Sequence, residues 1–508
     1  MNSEELSIRQ KLKDDFRHYA PRVLSIRTKK GGIEPLKLNK AQEFIHACLE
    51  TQERQTGKVR AIVLKGRQQG ASTLIGGRFY WKVTHRKGRR AFILTHEAES
   101  TSALFEMTER YHDHCNPLVK PSTGNSNAKE LIFDVLDSGY KLGTAGNKSV
   151  GRGTTIQYFH GSEVAFWPNA AEHAKGILQA VPDEPGTEVI LESTANGIGN
   201  YFHQQWQKAE AGEGEYQAIF VPWFWQEEYR KGISTPLNLT DEEELLKTTY
   251  KLDDEQLQFR RFKIAELSAD GINGDVAFKQ EYPMCAAEAF QVSGGDTLIQ
   301  PIDVMRARQE KQLASGPLII GVDPARFGDD RTAIIRRRNR VAYKVQTFTK
   351  KSTMEVAGIV NSIIKAEKPE QVAIDVIGLG AGVYDRLEEL GHKDILVSVN
   401  VASSALDPER YLNKRAEVWW EMRDWLSGDL PVSIPDSNEL HADLCAPFYK
   451  YNSQSRRQLE SKDDIKKRGL RSPDIADALA LTFAEPIKIK KPRKHYETHV
   501  VVDNAAGY

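Results

Sequence analysis

From Val59 to Glu192 the chain alternates short apolar runs with longer polar stretches of helical period. The runs are Ala61-Ile62-Val63-Leu64, Ala91-Phe92-Ile93-Leu94, Ile156-Gln157-Tyr158-Phe159 and Val189-Ile190-Leu191. Each ends in small or polar residues, the mark of strands buried on both faces and joined by crossover helices, so the pattern predicts a largely parallel sheet. Between Tyr201 and Ile264 the pattern turns helical and aromatic, and Thr240 with Glu243 at its third following position predicts a capping box. Ser293-Gly294-Gly295 and Ala314-Ser315-Gly316-Pro317 then interrupt the pattern as a boundary. Leu318-Ile319-Ile320-Gly321-Val322 opens a second α/β pattern that continues to about Ala484. The expectation is an α/β chain with a sheet core over 1–200, a helical subdomain over 201–292 completing that half, and a linker over 293–316. A second α/β unit follows over 317–485, with a basic tail over 486–508.

A chain of 508 residues is too long for one ordinary core, which agrees with that division. Its 70 basic and 70 acidic residues cancel, so any contact with a polyanion must come from local patches. The four cysteines, Cys48, Cys115, Cys285 and Cys445, are far apart and show no CxxC spacing. That argues against a disulfide framework or a zinc site and suits a reducing cytosol. No apolar run approaches the roughly 18 residues that a membrane span needs, so no membrane association is expected.

The run 61–64 leads into Lys65-Gly66-Arg67-Gln68-Gln69-Gly70-Ala71-Ser72-Thr73. In a phosphate-binding loop, glycines let backbone N–H groups close around phosphates while the following helix points its N-terminus at them. A lysine normally follows the last glycine, with a hydroxyl next to it for Mg2+. Here the hydroxyl is Ser72, but the lysine position holds Ala71. Lys65, at the strand end, is the favoured substitute, and Arg67 is the alternative. The run 156–159 continues into His160-Gly161-Ser162-Glu163, where an Asp-Glu pair would hold Mg2+ and polarise an attacking water. Ser162 therefore stands at the metal position and Glu163 at that of the base. His160 reads as a packing or hydrogen-bonding residue. A third run ends in Glu192-Ser193-Thr194-Ala195-Asn196-Gly197, whose small hydroxyl residues suit sensing of a terminal phosphate. Arg152, between Gly151 and Gly153, offers a flexible cation for transition-state charge.

Acids close the strands of the second half. Asp323 follows Leu318–Val322, and Asp375 follows Gln371-Val372-Ala373-Ile374. Asp329-Asp330-Arg331-Thr332 leads into Ala333-Ile334-Ile335 as a hairpin partner would. Ser472-Pro473-Asp474 opens an apolar helix on which Asp474 and Asp477 share a face. Carboxylates gathered at strand ends repel one another unless a divalent ion neutralises them, so Mg2+ or Mn2+ is the expected occupant. A pair of such ions can cut a phosphodiester.

In their joint order these motifs resemble the large terminase subunits of tailed phages, from about Gln42 to Leu479. Gln42 matches the family's adenine-contacting glutamine, and Lys65 a P-loop lysine carried early. Residues 162–167 match its Walker B continuation, and Ser193-Thr194-Ala195 its coupling motif. The resemblance implies a P-loop ATPase domain of the RecA-like ASCE class joined to an RNase H-like nuclease domain. ATP would lie on Gln42, Lys65, Gly66, Arg67, Gln68, Gln69, Gly70, Ala71, Ser72 and Thr73, with Ser72 on the ATP-bound Mg2+. Glu163 and Arg152 would be catalytic. Asp323, Asp375 and Asp474 would hold a pair of nuclease metals, with Asp477 a fourth ligand and Asp329 or Asp330 outside them. The Tyr411–Glu417 segment also matches, so Lys414 and Arg415 are expected on DNA phosphates, as are Lys466 and Lys467. Implied partners are double-stranded DNA, a portal protein, a small terminase subunit and the procapsid, with a pentameric ring on the portal and a monomer in isolation. Host cytoplasm is the implied location.

Overall fold

The computed structural model describes residues 3–124, 127, 129–145, 155–268, 273–290, 297–325, 331–452 and 454–487. The chain forms two compact units, Met1–Lys311 with Arg423–Ala476, and Gln312–Met422 with Asp477–Tyr508.

The first unit is built on a seven-stranded sheet. Its order across the sheet is Glu130–Phe133, Ser138–Thr144, Arg90–Thr95, Tyr158–Ser162, Glu188–Ser193, Val59–Lys65 and Gln217–Val221. Only Glu130–Phe133 runs antiparallel; every other pairing is parallel, as the apolar runs predict. The side chains obey the two-residue period of a strand. Ala61 and Val63 face a core with Leu74, Ile75 and Phe79 of the helix Ala71–His85, whereas Ile62 and Leu64 face one with Phe202 and Trp206. Covered on both faces, the central strands have no polar side, which is why the sequence shows runs and not alternation.

Two expectations need correction. The stretch from Tyr201 is not wholly helical, because Gln217–Val221 forms the strand beside Val59–Lys65. Its five residues lie between two aromatic segments and read as part of them. The 293–316 stretch is not an open linker either, since Pro301–Gln309 is a helix with Pro301 in its first turn. The capping box at Thr240 and Glu243 is present. The Arg423–Ala476 segment joins the first unit: Ile434 N–H donates to the Ala307 carbonyl at 3.0 Å, and Leu298 N–H to that of Pro447 at 3.0 Å.

The second unit carries a five-stranded sheet in the order Val341–Phe348, Thr332–Arg338, Leu318–Asp323, Gln371–Asp375, Leu396–Val399. Thr332–Arg338 is the antiparallel partner of Leu318–Asp323, as expected, and Gln371–Asp375 lies parallel on its other side. Leu318, Ile320 and Val322 pack on Val356 and Val360 of the helix Thr353–Glu367. The helix Asp474–Leu481 crosses Gly321 so closely that a Cβ there would sit 1.9 Å from the Ala478 carbonyl oxygen. Among the described residues no helix is long and apolar enough to cross a membrane.

Candidate functional site

The fully buried strand Val59–Lys65 delivers its last side chain to the C-terminal edge of the sheet, the usual ligand side of an open parallel sheet. There the chain turns through Gly66–Gly70 into the helix Ala71–His85. Gly70 has φ +80, and a Cβ on it would meet the Gln42 amide nitrogen at 2.7 Å, so close approach and backbone both require glycine. The loop is braced from outside: Gln42 Nε2 donates to Gly70 O at 2.9 Å, Gln69 Nε2 to Trp223 O at 3.2 Å, and Gln226 Nε2 to Gln68 O at 3.1 Å. The backbone N–H groups of Ala71, Ser72 and Thr73 open the helix and have no carbonyl one turn back to accept them, which is the anion-binding property of a helix start.

Three strand ends converge beside this loop. Lys65 Nζ lies 2.7 Å from Glu163 Oε1 and 3.2 Å from Glu192 Oε2. Burial opposes the ammonium charge, but the two carboxylates outweigh it and hold the Lys65 pKa above its ordinary value. The other oxygen of Glu163 accepts from Thr194 N–H at 3.1 Å and from Ser193 Oγ at 3.2 Å. Glu163 adopts φ 52, a left-handed backbone that residues with a Cβ rarely take. Glu192 is fully buried and accepts from Ser72 Oγ at 2.7 Å, Ser162 Oγ at 2.8 Å and His160 Nε2 at 3.3 Å. Burial raises its pKa, yet Lys65, His160 and Ser72 together pull it below the usual carboxylate range, so the group stays ionised.

The cleft over the loop has a volume of about 520 Å³, within the range of small-molecule sites. Lys65, Arg67 to Thr73 and Glu163 line it, joined by Arg27, Thr28, Lys29 and Lys37, which no sequence motif had marked. The hairpin of Ser25–Arg27 and Ile33–Pro35 brings the first of these there. Lys65 and Arg67 differ in placement: Lys65 is buried between the carboxylates, whereas the Arg67 side chain is 59% exposed and faces Glu281 at 3.6 Å. Gln42 lies at the cleft, but both ends of its amide are engaged, since Oε1 also accepts from Asn39 N–H at 3.0 Å. Arg152 lies outside the described residues, as do Asp329 and Asp330. The hard oxygens of Ser72, Ser162 and Glu192 form a donor set suited to Mg2+.

In the second unit Asp323 and Asp375 end neighbouring parallel strands whose preceding residues, Val322 and Ile374, are paired. Strands about 4.8 Å apart thus bring the two aspartates to the same edge of the sheet. Asp375 Oδ1 also accepts from Ile377 N–H at 3.0 Å, and Gly380 packs under the Asp375 carbonyl, where a Cβ would come within 1.7 Å. Asp477 accepts from Trp419 Nε1 at 2.7 Å with Arg415 Nε at 3.4 Å, and Asp474 is buried at the start of its helix. Among the described residues no group of three or more acidic, histidine or cysteine side chains is disposed to hold a metal. Of the two cations expected on DNA phosphates, Lys414 is buried on Glu417 at 2.7 Å, and Arg415 faces Asp477 at 3.4 Å. Lys466 and Lys467 are exposed, the latter paired with Asp464 at 2.8 Å.

No family model and no curated protein matches the sequence. Solved structures of bacteriophage large terminases resemble it. The HK97 bacteriophage large terminase is 14% identical over 93% of this chain and 99% of its own, with a TM-score of 0.42. The nuclease domain of the large terminase subunit gp2 of bacterial virus Sf6 is 20% identical over 37% of this chain and 99% of its own, at 0.34. An ATPase-domain mutant of the Thermus phage P74-26 large terminase is 15% identical over 48% of this chain and 93% of its own, at 0.33.

Proposed function

We propose that this chain is the large subunit of a phage terminase, a motor that hydrolyses ATP to move double-stranded DNA into a procapsid and cuts concatemeric DNA with a divalent-metal nuclease. The observation that carries the reading is the contact set of Glu163. One of its oxygens meets the cation of the phosphate loop, and the other meets the Ser193-Thr194 step. A base placed so connects the hydrolysis site to the end of the strand Glu188–Ser193.

In this reading the triphosphate lies over Gly66–Thr73, its phosphates on the helix start and on Lys65, with Ser72 toward Mg2+. When bound, Mg2+ neutralises phosphate charge and fixes the phosphate geometry. Glu163 accepts the proton of the attacking water once phosphate has drawn Lys65 from it. Loss of the terminal phosphate returns Lys65 to Glu163 and reorders the Ser193 and Thr194 contacts. Asp323 and Asp375 would supply ligands of the nuclease ions, and Asp474 is the third acid that the terminase resemblance implies; an Sf6 nuclease-domain structure contains manganese. The implied partners are DNA, portal, small subunit and procapsid, with a ring forming on the portal.

Glu163→Gln tests the reading. DNA-stimulated phosphate release should fall by roughly 10²- to 10⁴-fold while ATP affinity is kept. Unchanged turnover in that variant would remove Glu163 as the base. An inactive wild type that still binds ATP would favour a nucleotide-sensing scaffold.

A further inference from the structure

We infer that Glu192 supplies the carboxylate that anchors the Mg2+ of the bound triphosphate, in place of the acid that Ser162 cannot provide; this rests on the ATP-binding reading above. Ser162 ends the strand Tyr158–Ser162, where a metal-holding acid would stand, but its hydroxyl is neutral. Glu192 is paired with it in parallel register on the next strand, and that strand lies between those carrying Ser162 and Lys65. The acid has thus moved sideways by one strand, about 4.8 Å, toward the phosphate loop. The longer glutamate side chain turns Oε1 onto Ser72, the hydroxyl expected on the ion, and onto Ser162.

The second oxygen adds an independent observation. Glu192 Oε2 is buried and among the described residues accepts no geometrically satisfied hydrogen bond, the Lys65 ammonium being ion-paired with it at 3.2 Å. Lys65 is shared with Glu163, so two carboxylates face one ammonium. A divalent cation would offset the surplus negative charge and take up Oε2 once phosphate replaces the carboxylates around Lys65.

The test is binding of a methylanthraniloyl-ATP probe to the full chain, followed by fluorescence in EDTA and at saturating Mg2+, together with Mn2+ paramagnetic resonance in the presence of ATP. Wild type should bind the probe about tenfold or more tightly with Mg2+. Glu192→Gln should keep its EDTA affinity, lose that gain and leave Mn2+ unbound. Adding Ser162→Asp to Glu192→Gln should restore the gain, because the acid returns one strand over. Should Glu192→Gln fail to fold, Glu192→Asp, which keeps the charge facing Lys65, decides: a reduced Mg2+ gain supports the assignment. A full gain in either single variant overturns it while leaving the ATP site standing. A wild type that does not bind the probe removes the ATP-binding reading, and this inference with it.

Discussion

Arg78 places a guanidinium where no solvent reaches it, bonded to Glu188 at 2.9 Å and to Glu53 at 2.7 Å, with Glu50 at 2.5 Å. Lys82 meets Glu188 and Glu53 in the same network. Removing one member strands the other charges, so Arg78→Met should lower stability by about 3–5 kcal/mol in denaturant titration. Burial favours the neutral form of Glu188, but Arg78 and Lys82 outweigh it and hold its pKa down to about 2. Because that lies below the unfolded value of about 4.3, the contribution is complete above that pH and is lost as pH falls through about 2. Melting temperature should therefore be level toward neutrality and drop below about pH 4, with a shallower drop in Glu188→Gln. Single residues were unevenly legible in the sequence. Ser72 and Glu163 stood at motif positions, whereas Glu192 looked like the end of an apolar run. A charged side chain closing such a run was the available signal. Arg27 and Lys29 carried none, because only pairing of the Ser25–Arg27 hairpin brings them to the cleft.

Elements were read best where burial is two-sided. The runs at 61–64, 91–94 and 189–191 all fall inside buried central strands. The run at 156–159 is displaced, since the strand begins at Tyr158 and continues through Ser162. Edge strands were missed: Glu130–Phe133 alternates buried and half-buried positions, and Gln217–Val221 is only partly covered, so neither makes a continuous apolar run. Contacts between elements leave no trace in local pattern. Gln280, on the helix Gly274–Glu281, donates to the Ala195 carbonyl at 3.1 Å, and the next residue's carbonyl accepts from Arg67 N–H at 2.9 Å. That helix therefore touches both the phosphate loop and the segment that follows the strand Glu188–Ser193. Gln280→Ala should reduce DNA stimulation of ATP hydrolysis several-fold with basal hydrolysis kept; equal loss of both rates would mean that the contact only supports the fold. Gly321→Ala should force the helix Asp474–Leu481 off its strand at a cost of about 1–3 kcal/mol, measured as a lower melting temperature.

At the scale of the whole molecule, the two α/β sheets were foreseen, and the way the chain distributes itself between the units was not. Pattern along a sequence marks where strands begin and says nothing about which core a returning segment joins, as Arg423–Ala476 does with the first unit. Each unit carries acidic residues at or next to the ends of parallel strands, Glu163 and Glu192 in one, Asp323 and Asp375 in the other. In the proposed function one polypeptide carries two separate phosphate chemistries. Its most direct test is crosswise, with DNA-stimulated ATP hydrolysis and Mn2+-dependent plasmid cutting measured on the same preparations of wild type, Lys65→Ala and Asp323→Asn. Lys65→Ala should lose hydrolysis and keep cutting, and Asp323→Asn should lose cutting and keep hydrolysis. Cutting that survives in Asp323→Asn, or hydrolysis that survives in Lys65→Ala, would contradict the proposed function.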